Sequence, residues 1–113
     1  MKVDHLHPSP NMRVPFAWSY HVTIPERPGC YALVAYSGEV LYVGLATRSI
    51  RSRMGTHLDT PEKCNAGSQG APYWFYYVLC NASEVGQIER GWMNGAILED
   101  GTMPSLNKVY SPL

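Results

Sequence analysis

The sequence predicts an α+β fold: a small three-stranded antiparallel sheet flanked by helices, in the order β-β-α-β-α, preceded by an extended N-terminal arm. Three observations predict it. Two runs rich in Tyr, Val and Leu, residues 30–36 and 39–43, flank the short turn Ser37-Gly38, which is the pattern of a β-hairpin. A third run, 73–79, is aromatic and β-branched enough for a strand. Two further segments, about 48–58 and 81–98, repeat apolar residues at helical spacing.

The arm comes first. Five prolines (Pro8, Pro10, Pro15, Pro25 and Pro28) stand within the first 28 residues, so the chain there reads as extended rather than helical. Phe16, Trp18, Tyr20, Val22 and Ile24 alternate with Ala17, Ser19, His21 and Thr23, the period of a strand or of an arm lying on a core. Residues 1–27 are therefore expected to pack as an arm on a domain formed by 28–113. If Ser37 and Gly38 are the two loop residues of the hairpin, Tyr36 opposes Glu39, Ala35 opposes Val40, Leu33 opposes Tyr42 and Tyr31 opposes Gly44. Tyr31 and Tyr42 then become diagonal neighbours on one face. Only Gly44 faces Tyr31, leaving open space beside its ring.

Thr47 is the expected N-cap of the first helix, in which Ile50, Met54, His57 and Leu58 share a face and Arg53 and His57, four apart, lie together at its edge. Residues 59–72 carry Pro, Gly, Asn and Ser without periodicity and read as a loop. Asn81 followed three residues later by Glu84 resembles a capping arrangement for the second helix. Val85, Ile88, Trp92, Met93 and Ala96 form its apolar arc, and Glu89 falls inside that arc. Gly86, Gly91 and Gly95 each cost the helix up to ~1 kcal/mol relative to Ala. From Glu99 onward the chain reads as loop, with 104–107 returning to the body.

Composition narrows the function classes. The 113 residues include nine Lys+Arg, nine Asp+Glu and four His, giving formal net charge zero with 45% hydrophobic residues, so one globular domain is expected and disorder is excluded. Zero net charge excludes a bulk-electrostatic nucleic-acid binder, though not a local basic face. No apolar run, 30–36 included, comes near the length needed to span a bilayer, and the N-terminus lacks the apolar stretch of a secretory signal, which points to the cytoplasm. Three widely spaced cysteines, Cys30, Cys64 and Cys80, support neither a disulfide framework nor a zinc site. His5, His7 and His21 have no acidic or Cys partner at ligand spacing.

Charge is nevertheless segregated. Residues 40–58 contain Arg48, Arg51, Arg53 and His57 with no carboxylate, whereas 81–101 contain four acids and only Arg90. The first segment offers a phosphate backbone a basic helix, and the second offers a cation Glu89. Phosphodiester hydrolysis needs a water deprotonated, charge on the phosphorus oxygens neutralised and the leaving oxygen stabilised. One carboxylate suffices for hydrated Mg²⁺, which keeps most of its waters. An arginine fork meets a phosphate at any working pH. A tyrosine is a poor base in water, but a guanidinium or a metal-bound water beside it favours its phenolate.

Gly29-Cys30-Tyr31 followed on the next strand by Tyr42-Val43-Gly44 resembles the paired signatures of the GIY-YIG nuclease superfamily. Arg53 and His57 on the following helix, Glu89 on a later one and Pro104-Ser105-Leu106-Asn107 near the C-terminus extend the likeness over about 28–107. The resemblance implies a Mg²⁺-dependent DNA endonuclease, with Mn²⁺ able to substitute. Tyr31 and Tyr42 would share activation of the nucleophile, Arg53 would hold phosphate, His57 would orient a tyrosine or assist proton transfer, and Glu89 would hold the metal. Gly29, Gly44 and Asn107 would be structural, with Arg48, Arg51 and Arg53 contacting DNA. A phage, mobile-element or restriction setting is implied as well.

Leu45 stands where many members carry a polar or basic residue, and no lysine occurs between Lys2 and Lys63. That departure motivates a second reading, a catalytically weak nucleic-acid-binding or protein-interaction module on the same scaffold. No helix-turn-helix, zinc finger or basic tail accompanies the body, so specificity is expected to be low, structure-dependent or supplied by a partner protein or a second copy in a homodimer. The ordinary alternatives are tyrosines in a core, Arg53 and His57 on a solvated helix face, and Glu89 paired with a buried partner such as Arg53. A carboxylate within an apolar arc costs several kcal/mol unless paired or coordinated.

Overall fold

The computed structural model describes residues 1–108. Its elements are β1 (Met12–Pro15), α1 (Trp18–His21), β2 (Gly29–Ala35), β3 (Val40–Ala46), α2 (Ile50–Leu58), β4 (Pro72–Leu79) and α3 (Val85–Asp100), with 3₁₀ turns at Val3–His5 and Pro61–Lys63. The strands form one antiparallel sheet in the order β1-β4-β2-β3. The class is the α+β one read from the sequence, but the sheet has four strands and not three. Among the described residues no helix is long and apolar enough to cross a membrane.

All seven residues of β2 are buried, because β3 and β4 flank it and helices cover both its faces. Cys30, Ala32 and Val34 point to one side, where they meet Val85, Trp92, Met93 and Ala96 of α3. Tyr31 and Leu33 point to the other, against Ile50 and Met54 of α2 and Phe75 and Tyr77 of β4. The apolar arcs read from both helices are thus the two lids of the sheet, and each large side chain buried there contributes ~1.5–3 kcal/mol.

The arm is more structured than an extended segment. Its first strand escaped the sequence reading because β1 is four residues long, ends in Pro15 and is defined by a non-local partner, pairing Met12 to Pro15 with Tyr77 to Trp74. Arg13 lies 4.0 Å from the centroid of the Trp74 ring and donates to the Tyr76 hydroxyl at 3.0 Å, an attachment visible only once β4 is in place. The alternation over 16–24 does not make a strand. Trp18 to His21 coil into α1, with Trp18, Tyr20 and Val22 exposed while Ile24 is fully buried. His21 Nε2 lies 2.9 Å from the Arg51 carbonyl oxygen, and a Cβ on Gly55 would come within 3.1 Å of that nitrogen, so α1 seats against α2 where glycine leaves room.

The hairpin register holds where it matters for the site. Tyr31 faces Gly44 and Leu33 faces Tyr42, as the two-residue loop predicts, but a bulge follows and Val34 faces Val40. The loop itself is Tyr36-Ser37-Gly38, closed by Gly38 N–H to Ala35 C=O and Ala35 N–H to Glu39 C=O, both 2.9 Å. Gly38 has φ 93°, the left-handed residue that three-residue hairpins require. The extra residue is absorbed between loop and strand body.

Helix α2 starts at Ile50, two residues later than read, because Ser49 and not Thr47 is the cap: its Oγ accepts from Ser52 N–H at 3.1 Å. Two more of the unpaired first-turn donors go to the arm, Ile50 N–H to the Arg27 carbonyl and Arg51 N–H to that of Pro25. At α3 the Glu84 carboxylate accepts from Asn81 N–H at 3.1 Å, one half of a capping box. After α3 the chain returns along the outer edge of β3, where Leu106 N–H donates to the Leu41 carbonyl at 2.8 Å. The Asn107 amide spans Val43, with Oδ1 accepting from its N–H at 2.9 Å and Nδ2 donating to its carbonyl at 3.0 Å. The part of the domain read to 113 that follows Lys108 lies outside the described residues.

Candidate active site

The two tyrosines stand on the α2 side of the sheet with ring centroids 6.2 Å apart and planes at 26°. Gly44 makes this possible. A Cβ there would lie 2.5 Å from the Tyr31 hydroxyl and 2.6 Å from Cζ, so the space left by glycine is filled by Tyr31 itself and is not the open gap the register suggests. Phe75 stacks on the same ring at 5.2 Å. Tyr31 is therefore inaccessible, while Tyr42 is half-buried and lines a pocket.

His57 reaches this pair from the last turn of α2. It is buried, its Nε2 lies 2.7 Å from the Tyr31 hydroxyl, and its ring meets Tyr42 edge-on at 4.8 Å. Burial first, then the Lys63 and Arg53 charges, push His57 down from its ordinary 6.5 to about 4. It is consequently neutral at physiological pH. Between the two values an unfolded chain binds a proton that the folded chain refuses, so stability falls as pH falls through that window. The expected loss at His57 is about 3 kcal/mol from pH 6.5 to 4. Thermal unfolding followed across the window in wild type and His57→Gln measures it: the variant curve is to be flatter, and parallel curves would refute the assignment.

Burial also pushes both phenols up. For Tyr31 the Tyr42 neighbour adds to the rise and the Arg53 charge opposes it; for Tyr42 the opposition comes from Arg53 and from its hydrogen bonding with Tyr31, while Glu89 adds to the rise. Tyr42 thus has more relief from its environment than Tyr31. Arg53 itself is exposed on α2 and makes no ion pair among the described residues.

The three arginines read as a basic face divide. Arg48 and Arg53 are exposed. Arg51 turns the other way: Nε donates to the Ile24 carbonyl at 2.7 Å, NH2 donates to that of Val22 at 3.1 Å, and Glu26 pairs with it at 3.4 Å. Those bonds tie the arm to α2, and the structure does not bring Arg51 to the tyrosines.

Glu89 faces the same pocket as Tyr42. The cavity, of about 360 Å³, lies between α3, the 61–63 turn and the returning tail, and Glu62, Lys63, Asn107 and Lys108 also line it. Among the described residues the Glu89 carboxylate makes no hydrogen bond or ion pair, so Arg53 is not the buried partner that a structural role would need. Burial raises its pKa, with Arg90 opposing. Glu62 is different, since Lys108 holds it at 2.7 Å. No group of three or more His, Cys, Asp or Glu gathers among the described residues. A cation at Glu89 would take that carboxylate and complete its shell with water.

Lys63 is the residue the sequence reading missed. The 3₁₀ turn after α2 brings its Nζ 3.2 Å from His57 Nδ1 and 4.3 Å from the centroid of Tyr42. The lysine sought beside Tyr42-Val43-Gly44, where Leu45 stands, arrives instead from a loop without periodicity. Only Pro61, a helix-opening residue, marks that turn in the sequence. Gly29, at the start of β2, lies where a Cβ would fall 2.3 Å from both Ile50 Cδ1 and the Val78 carbonyl oxygen. Compared with protein-family models and with curated proteins, the chain matches none of them.

Proposed function

We propose that this chain is a metal-dependent endonuclease that hydrolyses DNA phosphodiester bonds, on the GIY-YIG pattern that its motifs resemble. The observation that carries the reading is one pocket lined by both Tyr42 and Glu89, a half-buried carboxylate with no hydrogen bond or ion pair among the described residues, with His57 and Tyr31 in line behind Tyr42. A structural acid at that position would have acquired a donor.

Tyr42, accessible where Tyr31 is not, is the residue that takes the proton from the attacking water. Arg53 presents its fork to a non-bridging phosphate oxygen, and its charge offsets part of the burial that pushes the Tyr42 phenol up. A bound Mg²⁺ or Mn²⁺ supplies charge neutralisation at the phosphoryl group and leaving oxygen. Arg48 and Arg53 meet the flanking backbone without reading bases, which fits low or structure-dependent specificity, or targeting by a partner.

The test is incubation of purified protein with supercoiled, linear and single-stranded DNA, with Mg²⁺, Mn²⁺ or chelator. Nicking of supercoiled DNA with either metal and none with chelator is expected. Retarded gel migration without cleavage under every condition would overturn the nuclease reading and select the binding module.

A further inference from the structure

We propose that Lys63 is a positioning residue that fixes the tautomer of His57, so that His57 donates to Tyr31 and Tyr31 in turn is left to donate towards Tyr42. The reasoning needs only donor and acceptor inventories. An ammonium has three donors and no acceptor, so His57 Nδ1, 3.2 Å from Lys63 Nζ, must carry a lone pair. A neutral imidazole with an accepting Nδ1 has its proton on Nε2. That proton points at the Tyr31 hydroxyl 2.7 Å away. Tyr31 then accepts from His57 and its own O–H is directed elsewhere, with Tyr42 stacked beside it.

Two observations support this direction. His57 is held neutral by burial, so it has one donor and one acceptor to be assigned and not two donors. Lys63 is also clamped over the Tyr42 ring at 4.3 Å, and the turn that carries it is tied to α2 by Thr60 Oγ1 donating to the Thr56 carbonyl at 2.8 Å and Thr60 N–H donating to that of His57 at 3.1 Å. The ammonium therefore has a defined place and is not a waving surface chain. Without it Nδ1–H and Nε2–H forms compete, and in the former the unprotonated Nε2 would draw the Tyr31 proton away from Tyr42.

The catalytic consequence rests on the nuclease reading above, whereas the tautomer does not. The experiment uses uniformly ¹⁵N-labelled protein, with long-range nitrogen–proton correlation spectra of the histidine rings and His57 assigned by its loss in His57→Gln. Wild type is expected to show His57 as the Nε2–H form alone. Lys63→Met, which keeps the aliphatic stem, is expected to show both forms or mainly Nδ1–H, and Lys63→Arg, which restores a donor, is expected to recover the wild-type pattern. In nicking assays Lys63→Met is expected to lose roughly 100-fold in kcat with KM little changed, the scale of a misplaced catalytic group. An Nδ1–H form in wild type, or an Nε2–H form undisturbed by Lys63→Met, overturns the proposal whether or not any DNA is cut. Absence of nicking in wild type with the tautomers as expected overturns the nuclease reading and leaves Lys63 in its positioning role.

Discussion

Glu89→Gln is expected to lower metal-dependent nicking by roughly 10³-fold or more, because a cation's stabilisation of transition-state charge is worth several kcal/mol and each 1.4 kcal/mol is about tenfold in rate. The substitution keeps the side chain's size and removes only its charge. A half-buried carboxylate with no partner among the described residues is a cost to the fold, and burial already raises its pKa. The amide variant should therefore melt at the same temperature as wild type or above it. Loss of activity joined to unchanged or increased stability separates a reacting group from a structural one. Initial rates of plasmid relaxation and a thermal melt of the same preparation decide it. Wild-type nicking, or a melt lowered by several degrees, would show that Glu89 serves packing.

Gly29→Ala is the second large effect, and it falls on the fold. An added Cβ would lie 2.3 Å from the Val78 carbonyl oxygen and 2.3 Å from Ile50 Cδ1. The isoleucine tip can yield, but the carbonyl belongs to β4, whose pairing with β2 at Gly29 and Leu79 leaves no slack. The strands must separate or the register must shift, at a cost of about 4 kcal/mol. Urea denaturation is to show a midpoint lowered accordingly with an unchanged slope, and a midpoint within experimental error of wild type would count against the packing described. Gly44→Ala makes a useful contrast. Its Cβ would meet the hydroxyl end of Tyr31, so the ring must swing off His57, and the damage is centred on the site.

Local patterns and long-range ones were not equally readable. The body of the hairpin was legible because alternation has a period of two and Gly38 marks the turn, so Tyr31 and Gly44 could be set opposite each other from the sequence. The apolar arcs of α2 and α3 were legible for the same kind of reason, and Glu89 stood out because it interrupts one of them. What escaped depends on partners distant in the chain. β1 exists because β4 offers it an edge, and α1 exists because Gly55 leaves room for His21; no alternation in 16–24 encodes either. Arg51 and Arg53 look alike in a basic run, yet the carbonyls of Val22 and Ile24 claim one of them and leave the other exposed. Lys63 is the clearest case. A loop residue six positions past His57 acquires its meaning only from the turn that folds it back.

The amide of Asn107 has a consequence for how copies of this chain meet in concentrated solution. A sheet margin with vacant N–H and C=O groups invites strands from neighbouring molecules, the first step towards ordered aggregates. Here Asn107 occupies both main-chain groups of Val43 and Leu106 occupies the Leu41 carbonyl, so that margin is stoppered from within. The opposite margin, β1, is four residues long and ends in a proline. With one border occupied and the other short and ended by a proline, the sheet is a poor seed for fibrils.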